Sequence, residues 1–344
     1  MIKNNVIGLD LAKNIFHLVS FNAELKQIKK KVKRADLLSY IANLPVSIIG
    51  MEACGGSHYW AREIKKLGHE VVLLNARYVK GFVVGNKNDY NDAEAIWTAT
   101  HQPKRRTVSL KTLEQQDIQM LHRLRQSTVD ERTAVANRIR GFLGEWGIVL
   151  PIGINQLRTH LTEIIEDAEN GLSVISRNLF AKQLEKLKEL DKTIKEYDKQ
   201  IDQLCIQSEL CQRFVEVPGI GAITATMAAS DIGDGKGYTK SKNYAASLGI
   251  VPKQHTSGDK VVLLGISKRG NGYLRTLLIH GARSVLKNCQ GKTDSLSRWL
   301  QALIERRGFN KAAVALANKN ARILWVMATQ NKRYEVRSAD VVMS

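Results

Sequence analysis

The chain has 344 residues, 44% of them hydrophobic, and a formal net charge of +19. It is long enough for two domains with cores of their own, which excludes a disordered basic tail. Basic residues outnumber acidic ones 17 to 9 over 1–110 and 21 to 8 over 213–344, against 14 to 16 over 111–212; two basic blocks around a near-neutral middle point to nucleic acid, whose phosphates release counterions to Lys and Arg.

Residues 5–10, 14–22 and about 25–33 read as three successive strands, with breaks short enough for hairpins. Residues 46–52 and 70–75 read as two more, each preceded by a helix-like segment. Short connections predict antiparallel neighbours, and helical crossovers predict parallel ones. Three antiparallel strands, then helix, strand, helix, strand, is the order of an RNase H-like α/β fold, here spanning 1–110.

From 113 to 146, Ile118, Leu121, Val135, Ile139, Phe142 and Trp146 recur at three- and four-residue steps or multiples of them, until Pro151 and Gly153 break the helical pattern. From 180 to 204 a heptad sets Phe180, Leu187, Ile194 and Ile201 at one position and Leu190, Tyr197 and Leu204 at the other. Residues 111–212 are expected to form a coiled coil of two long helices, paired within a chain or between chains of a dimer, or else a plain spacer. Residues 213–330, whose first motif is Val217-Pro218-Gly219-Ile220-Gly221, are expected to be mainly α, with mixed helices and loops and a last helix at 311–328. A short polar tail, 331–344, follows.

No apolar stretch approaches 18 residues, and no terminal basic amphipathic helix is visible, so no membrane role is expected. Cys54, Cys205, Cys211 and Cys289 form no Cys-x-x-Cys pair and match no histidine spacing; they predict reduced thiols in a cytoplasmic protein. The first residues lack the pattern of a signal peptide.

Acidic residues close two of the apolar runs: Asp10 ends Val6-Ile7-Gly8-Leu9-Asp10, and Glu52 ends Ile48-Ile49-Gly50-Met51-Glu52. Asp89 and Asp92 stand three residues apart near a helix start. Carboxylates gathered in a basic protein repel one another unless divalent cations sit between them. Four such oxygen donors at one sheet edge suit two Mg2+ ions about 3.5 to 4 Å apart, acting on a phosphodiester. Singly, each residue has a plainer explanation: Asp89 as an N-cap, Asp92 as favourable charge in a first helical turn, Asp10 and Glu52 as polar strand ends.

Gly219 and Gly221, just before Ala222-Ile223-Thr224-Ala225, resemble the phosphate-binding turn of helix-hairpin-helix motifs, with a simple turn between helices as the equal alternative. Lys268, Arg269, Asn271 and Arg275 open a helix in a way that suits phosphate contacts, or form a solvated basic loop. Ser257 lies in the polar loop Gln254-His255-Thr256-Ser257-Gly258-Asp259-Lys260, where spacing alone reads as a turn. No Ser-His-Asp arrangement is legible.

These motifs occur in one order along most of the chain: Gly8-Leu9-Asp10, Met51-Glu52-Ala53, Lys87-Asn88-Asp89-Tyr90-Asn91-Asp92-Ala93, Val217-Pro218-Gly219-Ile220-Gly221, Leu248-Gly249-Ile250-Val251-Pro252, Ser257-Gly258, Ser267-Lys268-Arg269-Gly270-Asn271 and Leu274-Arg275-Thr276-Leu277-Leu278-Ile279-His280-Gly281-Ala282-Arg283. Together they resemble the IS110 family of transposases, and the last of them its IS1111 subgroup. The resemblance implies a RuvC-like N-terminal domain with the acidic tetrad Asp10, Glu52, Asp89 and Asp92, a coiled-coil middle, and a C-terminal transposase domain with a nucleophilic serine. By position that serine is Ser257; family members often carry two serines before the glycine, and here the first is Thr256. The resemblance further implies Mg2+-dependent cleavage and rejoining of donor and target DNA through a phosphoserine, a non-coding guide RNA from the element itself, and composite sites in a dimer or tetramer. The alternative expectation is a junction resolvase or structure-specific nuclease that uses the same tetrad with water.

Overall fold

The computed structural model describes residues 5–86, 88–258 and 260–335. Lys87 of the acidic motif, Asp259 of the serine loop and residues 336–344 of the tail lie outside the described residues. The chain divides into two compact units, Met1–Thr112 and Leu113–Ser344.

The first unit runs β1 (Asn5–Asp10), β2 (Ile15–Phe21), β3 (Gln27–Lys33), α1 (Leu37–Ala42), β4 (Ser47–Glu52), α2 (Ser57–Lys66), β5 (Glu70–Leu74), α3 (Ala76–Val79) and α4 (Asp89–His101). Its sheet has the order β3-β2-β1-β4-β5. The hairpin-linked strands β1, β2 and β3 pair antiparallel, and the pairs β1–β4 and β4–β5, joined through helices, are parallel. This mixed sheet is consistent with the RuvC-like expectation.

Strand alternation assigns the two faces. Ile7, Leu9, Phe16, Leu18, Val32, Ile49, Met51 and Leu73 share one core with Leu37, Ile41, Trp60 and Ile64 from α1 and α2. The alternate residues Gly8, Asp10, Gly50 and Glu52 therefore stand on the other face, under α4, whose Ala95, Ile96 and Ala99 join Val72 and Leu74 in a second core.

The second unit contains α5 (Leu113–Glu145), α6 (Ile154–Glu166), α7 (Val174–Gln207), α8 (Glu209–Phe214), α9 (Ala222–Ile232), α10 (Ser241–Ser247), β6 (Pro252–Ser257), β7 (Lys260–Ile266), α11 (Gly272–Lys287), α12 (Ser295–Arg307) and α13 (Phe309–Gln330). Val135, Ile139 and Leu143 of α5, Leu157 and Leu161 of α6, and Phe180, Leu184, Leu187 and Leu190 of α7 form one core. The heptad seam of α7 is thus buried against helices of its own chain. Phe142 and Trp146, read as part of the α5 seam, are instead exposed; the buried row passes through Leu143, one position away, where it meets α6 and α7.

A buried polar row fixes α5 to α9: Gln119 Nε2 donates to Ser230 Oγ at 3.0 Å, and His122 Nε2 lies 3.0 Å from Thr226 Oγ1. The polar loop expected at 254–260 around Ser257 gives way to a β-hairpin of β6 and β7. The Val261-Val262 pair and the residues after it favour a strand, and Gly258 takes φ +58° at the turn. Among the described residues no helix is long and apolar enough to cross a membrane.

Candidate active site

Close packing of α4 on the sheet builds the acidic cluster. Gly8 and Gly50 are register partners on adjacent parallel strands. A Cβ on Gly8 would lie 2.1 Å from the Ala93 carbonyl oxygen and 2.6 Å from the Trp97 nitrogen, and one on Gly50 would lie 2.0 Å from Thr100 Oγ1. Only glycine lets the helix approach this closely. Two residues beyond each glycine, on the same face, come Asp10 and Glu52. Asn88, not Asp89, caps α4, its Oδ1 accepting from the Tyr90 nitrogen at 2.9 Å. The plain reading of Asp89 as an N-cap is therefore overturned, and the carboxylates of Asp89 and Asp92 are left for the cluster.

Carboxylate oxygens of Asp10, Asp89 and Asp92 lie within 4.8 Å of one another. Burial, then the charges of Asp92, Asp89 and Glu52, pushes the Asp10 carboxyl up to about 6. Glu52 is raised by burial and then by Asp92. The exposed Cys54 at the end of the β4 loop feels the same field: burial of its thiol, then Glu52 and Asp10, pushes it up.

Among the described residues, no Lys or Arg forms an ion pair with any of the four carboxylates. His17 Nδ1 lies 3.5 Å from Asp89 Oδ2. His17 is the β2 partner of Asp10, is buried, and stacks edge-on against Tyr90 with ring centroids 4.7 Å apart. Sequence reading missed it, because only strand register brings it beside the cluster. Hard oxygen donors left in mutual repulsion fit a divalent cation.

Close approach at Gly8 gives a direct test. Gly8→Ala sets a methyl against helix backbone that cannot rotate away, so α4 must lift. The expected cost is about 1–3 kcal/mol of stability, the usual range for overpacking. Divalent-cation binding is expected to fall with it, because Asp89 and Asp92 travel on α4. Thermal melting and cation titration of this variant check both effects.

In the second unit, Ser257 ends β6 at the exposed turn of the hairpin and pairs with Lys260. The Thr256 hydroxyl accepts from Gln254 Nε2 at 2.9 Å. Gly219 has φ +86° and meets Gly281 of α11 backbone to backbone: a Cβ on Gly281 would lie 1.8 Å from the Gly219 carbonyl oxygen. Gly221, by contrast, borders open space. Lys268 and Arg269 are exposed. Arg275 Nη1 donates to the carbonyls of Leu248 and Arg269, each at 2.9 Å. Asn271 caps α11 through the Leu274 nitrogen at 3.1 Å and donates to Asp231 Oδ1 at 2.9 Å.

Residues 7–147, which include all four carboxylates, match the DEDD transposase family of IS110 elements. Residues 211–297, which include Ser257, match the family described as "Transposase IS116/IS110/IS902 family". The transposase for insertion sequence element IS1111A of Coxiella burnetii is 42% identical over 96% of this chain and 91% of its own. The chain belongs to the IS110 family of transposases. A probable family 20 transposase of Pseudomonas aeruginosa is 42% identical over 95% of this chain and 98% of its own. The transposase for insertion sequence element IS1328 of Yersinia enterocolitica is 38% identical over 94% and 97%. As a member of the IS110 family the chain is an insertion-sequence transposase, an enzyme that cleaves DNA and transfers strands. Its DEDD class and its acidic cluster both suit dependence on a divalent metal.

Proposed function

We propose that this transposase cleaves and rejoins donor and target DNA in a Mg2+-dependent reaction, with Ser257 as nucleophile and an element-encoded RNA selecting the sites. The observation that carries the reading is the carboxylate cluster, which among the described residues has no Lys or Arg paired to it. Asp10, Asp89 and Asp92, whose oxygens lie together, would hold two Mg2+ ions with Glu52 from the neighbouring strand. When bound, such ions favour the ionised form of an attacking hydroxyl and offset charge on a departing oxygen. The four carboxylates would supply the oxygen donors, with His17 Nδ1 standing 3.5 Å from Asp89 Oδ2.

Ser257, exposed at a tight turn, supplies the attacking oxygen. Its Oγ–phosphorus bond forms as the bond from phosphorus to the 3′ oxygen breaks, and the 3′ oxygen takes up the proton that the serine loses. The phosphoserine keeps the energy of the phosphodiester, so a free 3′ hydroxyl attacks it, restores a DNA bond and returns the proton to Ser257. No ATP is consumed.

Lys268 and Arg269, exposed ahead of α11, contact phosphates, while Asn271 and Arg275 hold that loop in place and the turn at Gly219 and Gly221 offers backbone N–H groups. The RNA pairs with the DNA ends and reads sequence, leaving shape and backbone to the protein. The protein assembles as a dimer or tetramer through surfaces other than the α7 seam, which helices of its own chain cover, and works in the cytoplasm on the nucleoid. Purified under gentle lysis, the protein is expected to carry one defined, RNase-sensitive RNA. Sequencing that returns only bulk cellular fragments would count against RNA guidance.

A further inference from the structure

Strand β3 is an edge of the sheet, and its Lys29, Lys30, Lys31 and Lys33 are all exposed. Among the described residues none of them forms an ion pair, whereas the neighbouring Lys26 is 3.0 Å from Glu24. Register fixes where the alternate lysines stand. Asp10 pairs with His17 and His17 with Lys31, while Val19 pairs with Lys29 and Ile15 with Lys33. Paired residues share a face, so Lys29, Lys31 and Lys33 stand on the face that carries Asp10 and α4. Two contacts agree with this placement. Gln27 Nε2 donates to Glu94 Oε2 of α4 at 2.7 Å, and Lys29 Nζ sits 5.5 Å over the ring of Tyr90, which lies between Asp89 and Asp92.

We propose that β3 is a phosphate rail, on which Lys29, Lys31 and Lys33 seat the backbone of duplex DNA beside the bond that is cut. The inference rests on the reading of the carboxylate cluster as the place of cleavage. Alternate residues of a strand stand about 6.8 Å apart, and successive phosphates of one DNA strand, which climb about 3.4 Å along the axis while turning about it, lie about 7 Å apart through space. The lysines are therefore spaced to meet successive phosphates. The rail also meets an electrostatic need: four carboxylates repel an approaching polyanion, and a row of fixed positive charge beside them offsets that field without neutralising them. Lysines on an edge strand also deter strand pairing between molecules, and that role makes no demand on DNA affinity.

The test is the salt dependence of binding to a 30-base-pair duplex of random sequence, in EDTA, so that neither metal nor cleavage enters. Lys29→Gln/Lys31→Gln/Lys33→Gln is compared with Lys182→Gln/Lys188→Gln/Lys195→Gln, which removes the same charge from exposed positions on α7. The β3 variant is expected to flatten the slope of log affinity against log salt by about 2 to 3, at about 0.9 per phosphate contact, and the α7 variant by less than 1. Arginine at the three β3 positions is expected to restore the wild-type slope. Equal slopes for the two glutamine variants overturn the rail, as does a loss confined to an RNA duplex. A β3 variant that self-associates in light scattering with its DNA slope unchanged also overturns it, in favour of edge protection. Because the assay contains no metal, failure of the cleavage reading leaves its outcome untouched.

Discussion

Asp92→Asn is expected to cut DNA cleavage severely and to leave the metal-free protein at least as stable as the wild type. Asp92 is the largest charge acting on both Asp10 and Glu52, second only to burial in each case. Asparagine keeps the shape and removes that repulsion; the favourable interaction of a carboxylate with the start of α4 is lost at a cost of about 0.3–1 kcal/mol. The two changes oppose each other, so melting stays level or rises. Cleavage loses a donor from a preorganised charged site, and the expected fall is at least about 10²–10³-fold.

The pH behaviour has a definite sign. The Asp10 carboxyl sits at about 6, above its ordinary value of 3.8. Between those values the native state binds more protons than the unfolded chain, so metal-free stability falls as pH rises through the window. Melting across pH 4 to 7 checks this, and the slope shrinks in Asp92→Asn.

Ser257→Ala is expected to remove the covalent protein–DNA adduct altogether while divalent-cation binding stays at the wild-type level. The hydroxyl stands on an exposed hairpin turn, so its loss costs almost nothing in folding, and the carboxylates of the first unit are unaltered. Denaturing gels of reactions on element-end DNA read the adduct directly. An adduct that survives in Ser257→Ala and disappears in Thr256→Ala moves the nucleophile one residue back. Cleavage at the wild-type rate in Ser257→Ala, with no adduct in either protein, favours the water-driven nuclease instead.

The sheet was legible because its signals are local. Expected strands at 14–22 and 46–52 correspond to Ile15–Phe21 and Ser47–Glu52, since β-rich runs mark the strands, and a short break before the first and a helix before the second set their directions. Asp10 and Glu52 were readable as strand ends. The helical seam of α7 was also readable, but its partners were not, because periodicity marks an apolar face without saying what covers it. The role of Gly8 and Gly50 depends on where α4 crosses the sheet, and that of His17 on strand register; neither leaves a trace in spacing. Adjacent Asn88 and Asp89 both favour a cap, and only geometry shows that Asn88 takes it. The β6–β7 hairpin was read as a loop because polar residues from Gln254 to Ser257 cover its first strand on both faces.

Calorimetric titration of Mn2+ into the wild type and Asp92→Asn tests the metal-centre account most directly. The wild type is expected to bind the ion and to release more protons at pH 6 than at pH 7.5, as Asp10 loses its proton to solvent on joining the ligand set. Asp92→Asn is expected to bind at least about tenfold more weakly, the lower end of the effect seen even for residues that only support metal ligands. Equal affinity in the two proteins, or no binding in the wild type, would contradict a metal centre built from these carboxylates.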